Sequence, residues 1–394
     1  MHDVNDQPLA VLGGLSANEF LRDYWQKKPL LVRNAMPNVV GFIDPDDLQQ
    51  LATTDGVTAR LLSQQGKDAD QWQLKHSPLT DKDFKRLPLN WTLLVQAVDH
   101  WSVDVAEWWR AFDFLPQWRR DDIMMSYAPR GGSVGQHFDQ YDVFLVQTLG
   151  HRRWQLGQSF GADADFVPKQ PLRLLSDMGD IVFDEVLAAG DLLYVPPSLS
   201  HYGVAQDHCI TASFGFRMPS TSGLLDRLTD HLLNDGNLQL PINDRPVRSI
   251  SAAGQVSADD LAALRERLYA LLNDPEAFEA ATIGLLSEPK YPDSLQEHDE
   301  DGDILTEWLA LDGVQARLEP TSRLLYVQDD AGTRFWANGE ALDIPSGAEA
   351  LMQSLADGVW LSADQLAQLP IDWLTELHQN GLLLWDLPED GDDT

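Results

Sequence analysis

The chain of 394 residues contains a single cysteine, Cys209. That excludes a disulfide framework within the chain and a cysteine-rich zinc module. No apolar run approaches the roughly 18 residues that a membrane helix needs. The first residues show neither the basic patch nor the apolar stretch of a secretory leader. Positive charge is also scarce: 28 Lys and Arg face 62 Asp and Glu, a formal net charge of −34. Such a surface repels phosphate backbones and attracts basic partners, so nucleic acid is disfavoured as a direct ligand. No internal repeat is found. The Gly-rich stretch Pro129-Arg130-Gly131-Gly132-Ser133-Val134-Gly135 precedes neither a Lys-Ser/Thr pair nor a helix, so it is not a phosphate cradle. These absences leave a soluble cytoplasmic protein, long enough for two or three domains.

Against this background, His137-Phe138-Asp139 and the later His201 stand out. Two imidazoles and a carboxylate in the order H-x-D…H are the ligand set of a facial triad. Such a triad holds a divalent metal on one side and leaves positions open for co-substrate and oxygen. On a strand, residues i and i+2 point to one face, so His137 and Asp139 converge. The run Tyr141-Asp142-Val143-Phe144-Leu145-Val146 supports a strand. Gly190-Asp191 marks a turn, Leu192-Leu193-Tyr194-Val195 a short strand, and Pro196-Pro197 its end, with His201 just beyond.

Ser16 to Glu19 fits a capping box, followed by an apolar stripe through Phe20, Leu21, Tyr24 and Trp25 and a stop at Pro29. Leu30-Leu31-Val32 then reads as a strand, and Asp44-Pro45-Asp46-Asp47 opens a second helix. From about Trp91 to Arg217, short strands and Gly/Pro turns alternate, as an antiparallel barrel requires. After Pro219 the pattern becomes helical up to about Leu286, with charged outer faces around Leu224–Leu228 and Ala262–Leu268. The acidic stretch Pro292 to Asp303 reads as an exposed linker. A helix over Ile304–Leu311, a hairpin around Asp330-Ala331-Gly332, helices near 346–357 and 363–379, and a last strand Leu382–Trp385 suggest a winged-helix-like module. The acidic tail Glu389 to Thr394 is expected to be disordered.

Together, Gly135-Gln136-His137-Phe138-Asp139-Gln140-Tyr141-Asp142-Val143-Phe144, Gly150-His151-Arg152-Arg153-Trp154 and Gly190 to Pro197 resemble a JmjC-domain oxygenase. The resemblance is closest to the bacterial ribosomal oxygenases, which hydroxylate an arginine of ribosomal protein uL16. It extends to Tyr24-Trp25-Gln26-Lys27-Lys28-Pro29 and Ser213-Phe214-Gly215-Phe216-Arg217. It implies an α+β fold: a double-stranded β-helix (cupin/JmjC) barrel with N-terminal helices, a helical dimerisation region and a C-terminal winged-helix-like domain. The implied limits are 1–220 for the oxygenase domain (barrel core about 91–217), 221–292 for homodimerisation and 293–394 for the winged helix.

The resemblance further implies Fe(II), 2-oxoglutarate as co-substrate, and O2. His137, Asp139 and His201 would hold the iron, although nickel, copper, cobalt or zinc bind the same donors. Arg152 would pair with the distal carboxylate of 2-oxoglutarate, since a guanidinium forms a bidentate pair with a carboxylate. Ser126 would hydrogen-bond the same co-substrate, and Thr211 and Ser213 could line the barrel. Arg153, one step along the strand, should face outward. Asp122 would pair with the target guanidinium, with Met124 and Tyr141 against its aliphatic stem. Asp122, Met124 and Ser126 alternate along one strand and so share a face. His151 departs from the relatives' usual arginine and should point outward. Two other readings stay open: a histidyl hydroxylase of another ribosomal protein, and a non-catalytic cupin-like metal-binding regulator whose winged helix binds DNA. The carboxylate of Asp122 argues against the first and the net charge against the second.

Overall fold

The N-terminal helices form where their capping residues dictate. Ser16 accepts from the Glu19 amide while the Glu19 carboxylate takes the Ser16 amide, opening α1, Ala17–Asp23. Asp44 and Asp47 repeat the exchange for α2, Pro45–Ala52. α1 stops well short of Pro29. Gln26 adopts a left-handed backbone with φ +56°. Its amide donates to the Tyr194 hydroxyl and its side chain to buried Asp142. A tertiary anchor, and not the proline, ends this helix. The computed structural model describes residues 6–65, 71–234 and 254–388. The acidic tail from Glu389 lies outside them.

Contacts divide the chain into two units, Met1–Met218 and Pro219–Thr394. The first contains β1 (Leu30–Val32), β2 (Ala59–Gln65), β3 (Gln71–His76), β4 (Trp91–Val95), a short α3 (Val103–Ala106), β5 (Arg120–Ala128) and β6 (Asp142–Leu149). It continues with β7 (His151–Ser159), β8 (Phe183–Ala188), β9 (Leu192–Val195), β10 (Leu199–Ala205) and β11 (Cys209–Phe216). Eight of these strands form one sheet in the order β1-β9-β6-β11-β5-β4-β2-β3, and β10-β7-β8 form a second. Every pairing is antiparallel.

Around β6, β9 and β11 the large sheet is buried on both faces, which explains their unbroken apolar runs. Along β6, Phe144 and Val146 enter a core with Phe20, Phe112, Phe214 and Phe216. Val143 and Leu145 enter another with Trp154, Leu156 and Leu187 of the small sheet. Along β9, Leu192 and Tyr194 follow the first pair, whereas Leu193 and Val195 follow the second. The period of two thus separates a helix-covered face from a face turned to the other sheet. The second core lines the space between the sheets, where a cupin fold holds its ligands.

The second unit opens with α4 (Thr221–Asn234), α5 (Ala258–Leu272) and α6 (Pro275–Ser287). Leu228 and Leu232 of α4 pack on Ala277 and Ala281 of α6. α5 buries none of its residues. Next come α7 (Gly302–Leu309), β12 (Gln315–Leu318), β13 (Leu324–Asp329), β14 (Gly332–Ala337), β15 (Glu340–Leu342) and α8 (Glu349–Ala356). The unit ends with β16 (Leu361–Ser362), α9 (Ala363–Leu366), α10 (Ile371–Gln379) and β17 (Leu383–Asp386). The expected helix at 363–379 is two helices, because Pro370 caps the second. The small sheets are β16-β12-β17 and the wing β13-β14-β15. Leu305, Met352, Leu374 and Leu377 centre their shared core.

Candidate metal and co-substrate site

His137, Asp139 and His201 converge, but not by the route expected. The triplet does not lie within a strand. The ladder of β6 begins only at Asp142, and His137 makes an isolated antiparallel bridge to His201. The two amides exchange hydrogen bonds at 3.1 and 2.8 Å, and the Ser198 amide donates to the Asp139 carbonyl at 2.7 Å. His201 itself lies inside a strand, β10, which the sequence reading did not anticipate. After the Pro196-Pro197 stop, Ser198 takes φ +68° and turns the chain into that strand.

The donor atoms of the three side chains lie within 4.8 Å of one another. His201 Nε2 is 3.6 Å from Asp139 Oδ2, and the imidazole centroids are 4.2 Å apart. Each ring makes the same local contact. His137 Nδ1 meets the Gly135 carbonyl and His201 Nδ1 meets the Leu199 carbonyl, both at 3.0 Å. A carbonyl only accepts, so both Nδ1 atoms carry the proton and both Nε2 lone pairs face the carboxylate. This is how metal-ligating histidines are held. Burial, with the His137 charge in second place, brings the pKa of His201 down to about 4, so its ring is neutral near pH 7. The donor set fits a divalent metal.

A second group of the same composition, His298, Glu300 and His378, meets the same distance test. Its protons are arranged the opposite way. The Trp385 indole, which can only donate, points at His378 Nδ1 at 3.2 Å. The proton of neutral His378 is therefore on Nε2, donating to Glu300 at 3.2 Å. The lone pair a metal would need is already taken, and the His298 ring stacks on His378 at 4.4 Å. Trp385, His378 and Glu300 thus form a hydrogen-bond chain, with His298 stacked on it. The stretch expected to be an exposed linker thus docks its His298 and Glu300 against α10.

Beside the metal group, β7 directs Arg152, Trp154 and Leu156 inward, paired with Ala205, Gly203 and His201 of β10. Arg152 is 2% exposed, and its Nε and Nη2 have no partner among the described residues. A buried guanidinium with two unmet donors fits a carboxylate. Arg153 points outward to Asp184, and His151 pairs with Asp207 on the surface. Across the barrel, Ser126 stands opposite Thr211 and Met124 opposite Ser213, with Gln147 and Leu145 beyond them. Gln147, missed by the sequence reading, donates to the Leu149 and Ile210 carbonyls and accepts from Thr211 Oγ1 at 3.0 Å. That fixes the Thr211 hydroxyl.

At the start of β5 a bulge interrupts the expected alternation. Ile123 pairs with Phe214 and Arg120 with Phe216, so Asp121 and Asp122 both fall opposite Gly215. Asp122 is buried and accepts from the Ala97 amide at 2.9 Å. Asp121, also missed, pairs with Arg217 at 2.6 Å, and that guanidinium lies 4.7 Å over the Tyr141 ring. Burial, then the Asp139 charge, raises the Tyr141 pKa, so the hydroxyl keeps its proton. Met124 Sδ receives the Arg60 guanidinium at 4.0 Å. Resident cations thus already occupy part of the wall assigned to a target arginine. The short motif Ser213 to Arg217 was the available signal for Arg217; nothing in the sequence pattern marked the bulge.

Residues 107–224 match the JmjC domain family and residues 270–391 the ROXA-like winged helix family. The chain is 42% identical over 348 residues to a probable ribosomal oxygenase of Haemophilus influenzae, covering 86% of this chain and 85% of that protein. It is 34% identical over 360 residues to the ribosomal protein uL16 3-hydroxylase of Escherichia coli, covering 88% and 90%. A solved structure of the Escherichia coli ribosomal oxygenase YcfD in complex with cobalt and 2-oxoglutarate matches with a TM-score of 0.79 at 31% identity. The match spans 94% of this chain and 98% of that one.

Proposed function

The chain belongs to the JmjC ribosomal oxygenases, and on that premise we propose that it hydroxylates an arginine side chain of ribosomal protein uL16. It is a 2-oxoglutarate-dependent dioxygenase using Fe(II). The observation that carries the co-substrate part of the reading is Arg152, a buried guanidinium with unmet donors on the strand paired with that of His201. The relative named uL16 3-hydroxylase supports the target.

When bound, iron and 2-oxoglutarate supply the oxidising chemistry: oxygen and the oxo acid are consumed, carbon dioxide and succinate leave, and one oxygen atom enters a substrate C–H bond. The protein's own residues bind and orient. His137, Asp139 and His201 hold the metal as neutral imidazoles and a carboxylate. Arg152 takes the distal carboxylate, with Ser126 as a hydroxyl partner and Thr211 and Ser213 as lining. Asp122, fixed by the Ala97 amide, would receive the target guanidinium while Met124 and Tyr141 flank its stem. The large negative charge favours a basic ribosomal protein as substrate. Among the described residues, no helix is long and apolar enough to cross a membrane.

The domain limits expected from the sequence carry over as roles: oxygenase to about 220, pairing of two copies through 221–292, winged helix from 293. Support for pairing comes from α5, which leaves Leu261, Leu264, Leu268, Tyr269 and Leu272 exposed. The test is a uL16 peptide incubated with iron(II), ascorbate and 2-oxoglutarate. A mass gain of one oxygen on an arginine, matched by succinate, is expected. Asp122→Asn should lower peptide turnover roughly tenfold or more with co-substrate binding intact. Oxygen appearing on a histidine instead would replace the arginine assignment.

A further inference from the structure

Arg152 is not the only unmet donor in the barrel. Trp154, two residues along the same inward face of β7, is 4% exposed, and its Nε1 has no acceptor among the described residues. Its ring lies 5.8 Å from the Arg152 guanidinium carbon and 6.0 Å from the His201 ring. It therefore bridges the cation and the metal group. The fold makes room for it deliberately: opposite Trp154 stands Gly203, where a Cβ would come within 2.7 Å of the indole. Leaving an indole N–H buried without an acceptor is destabilising, and buried Trp usually finds a partner. Phenylalanine would fill the same core without that cost. An indole retained beside an unmet guanidinium points to an anionic acceptor shared by both.

We propose that Trp154 is a positioning residue for the co-substrate, its Nε1–H donating to the same carboxylate that Arg152 holds. The proposal rests on the dicarboxylate reading of the barrel. With Arg152 as a fork and Trp154 as a third donor beside it, the carboxylate is held at a set distance from His201. A 2-oxo acid that lacks the distal carboxylate cannot engage either residue.

The test uses full-length protein labelled with 15N in its tryptophan indoles and loaded with zinc(II), a redox-inert occupant of the His–Asp–His group. The Trp154 indole resonance is the one missing from Trp154→Phe. Addition of 2-oxoglutarate, or of succinate, should move its proton signal downfield, while 2-oxobutanoate should not. By calorimetry, Trp154→Phe should bind 2-oxoglutarate about tenfold more weakly, with zinc affinity unchanged. If 2-oxoglutarate binds the parent protein but the Trp154 indole signal stays in place, or Trp154→Phe binds it within twofold, the assignment is overturned. If the parent protein binds no dicarboxylate at all, the co-substrate reading fails first and takes this assignment with it. The resonance test on the parent chain holds even if the variant folds poorly.

Discussion

Replacing Arg152 by Met tests the chemistry of the barrel in two directions at once. Met keeps most of the aliphatic stem and removes the charge. In the parent chain the guanidinium is 2% exposed with Nε and Nη2 unmet by the protein. Each unmet buried donor costs about 1–3 kcal/mol, more when charged. In an anion-free buffer, Arg152→Met should therefore be more stable than the parent by about 1–3 kcal/mol after the loss of some packing. The melting temperature should rise by several degrees. Co-substrate binding should move the other way. Removing one partner of a buried ion pair costs about 3–5 kcal/mol, so 2-oxoglutarate affinity should fall by about two to nearly four orders of magnitude. Thermal melts with and without the dicarboxylate, plus calorimetry on zinc-loaded protein, read both effects. 2-Oxoglutarate should raise the parent's melting temperature and leave the variant's in place. A variant that melts below the parent yet binds 2-oxoglutarate within threefold would refute the account of Arg152.

Two further outcomes follow from the proton arrangement of the two histidine clusters. Metal titration should give one tight divalent site per chain. His137→Ala should abolish it and His298→Ala leave it intact, so two equivalents would show the tautomer argument to be wrong. His378, lowered in basicity mainly by burial and further by His298, with Glu300 opposing, couples stability to pH. Its folded pKa lies below the ordinary value near 6.5, so the unfolded chain takes up the proton first. The stabilisation is full above about pH 6.5 and is lost as pH falls through the folded pKa. Hydrogen exchange of the β17 amides between neutral and acid pH should show this loss, and His378→Gln should flatten it. A profile as steep in the variant as in the parent would assign the effect elsewhere.

The chemistry was more legible in the sequence than the path of the backbone. Both imidazoles, Asp139 and Arg152 stand out because residue type and short spacing carry their meaning, and the structure gathers them in one barrel. The strand assigned to His137 did not form, since its amide pairs with His201, a partner distant in the chain. The early end of α1 depends on Tyr194 and Asp142, which no local pattern around Gln26 reveals. The bulge at Asp121–Asp122 likewise depends on register with β11. Gln147 and Trp154 read as ordinary strand residues until the facing strands show what surrounds them. In the second unit, the Asp330-Ala331-Gly332 turn was enough to mark the hairpin of the wing, whereas the Asp301 cap that opens α7 two residues before the expected start was not read from the sequence.

The bridge between His137 and His201 also has a mechanical side. His137 stands at the threshold of the large sheet and His201 within the small one. An ion held by both is a cross-link between the two layers, clamping a long loop of chain that includes β6 through β9. Closing a long loop restricts the unfolded chain, so such a clip stabilises the fold as well as arming it. Each ring is oriented by a carbonyl two residues upstream on its own segment. The aim of each ligand is therefore set locally, and the ion has only to join two prepared halves. The same rivet that serves the reaction would hold the walls of the barrel at the spacing the reaction requires.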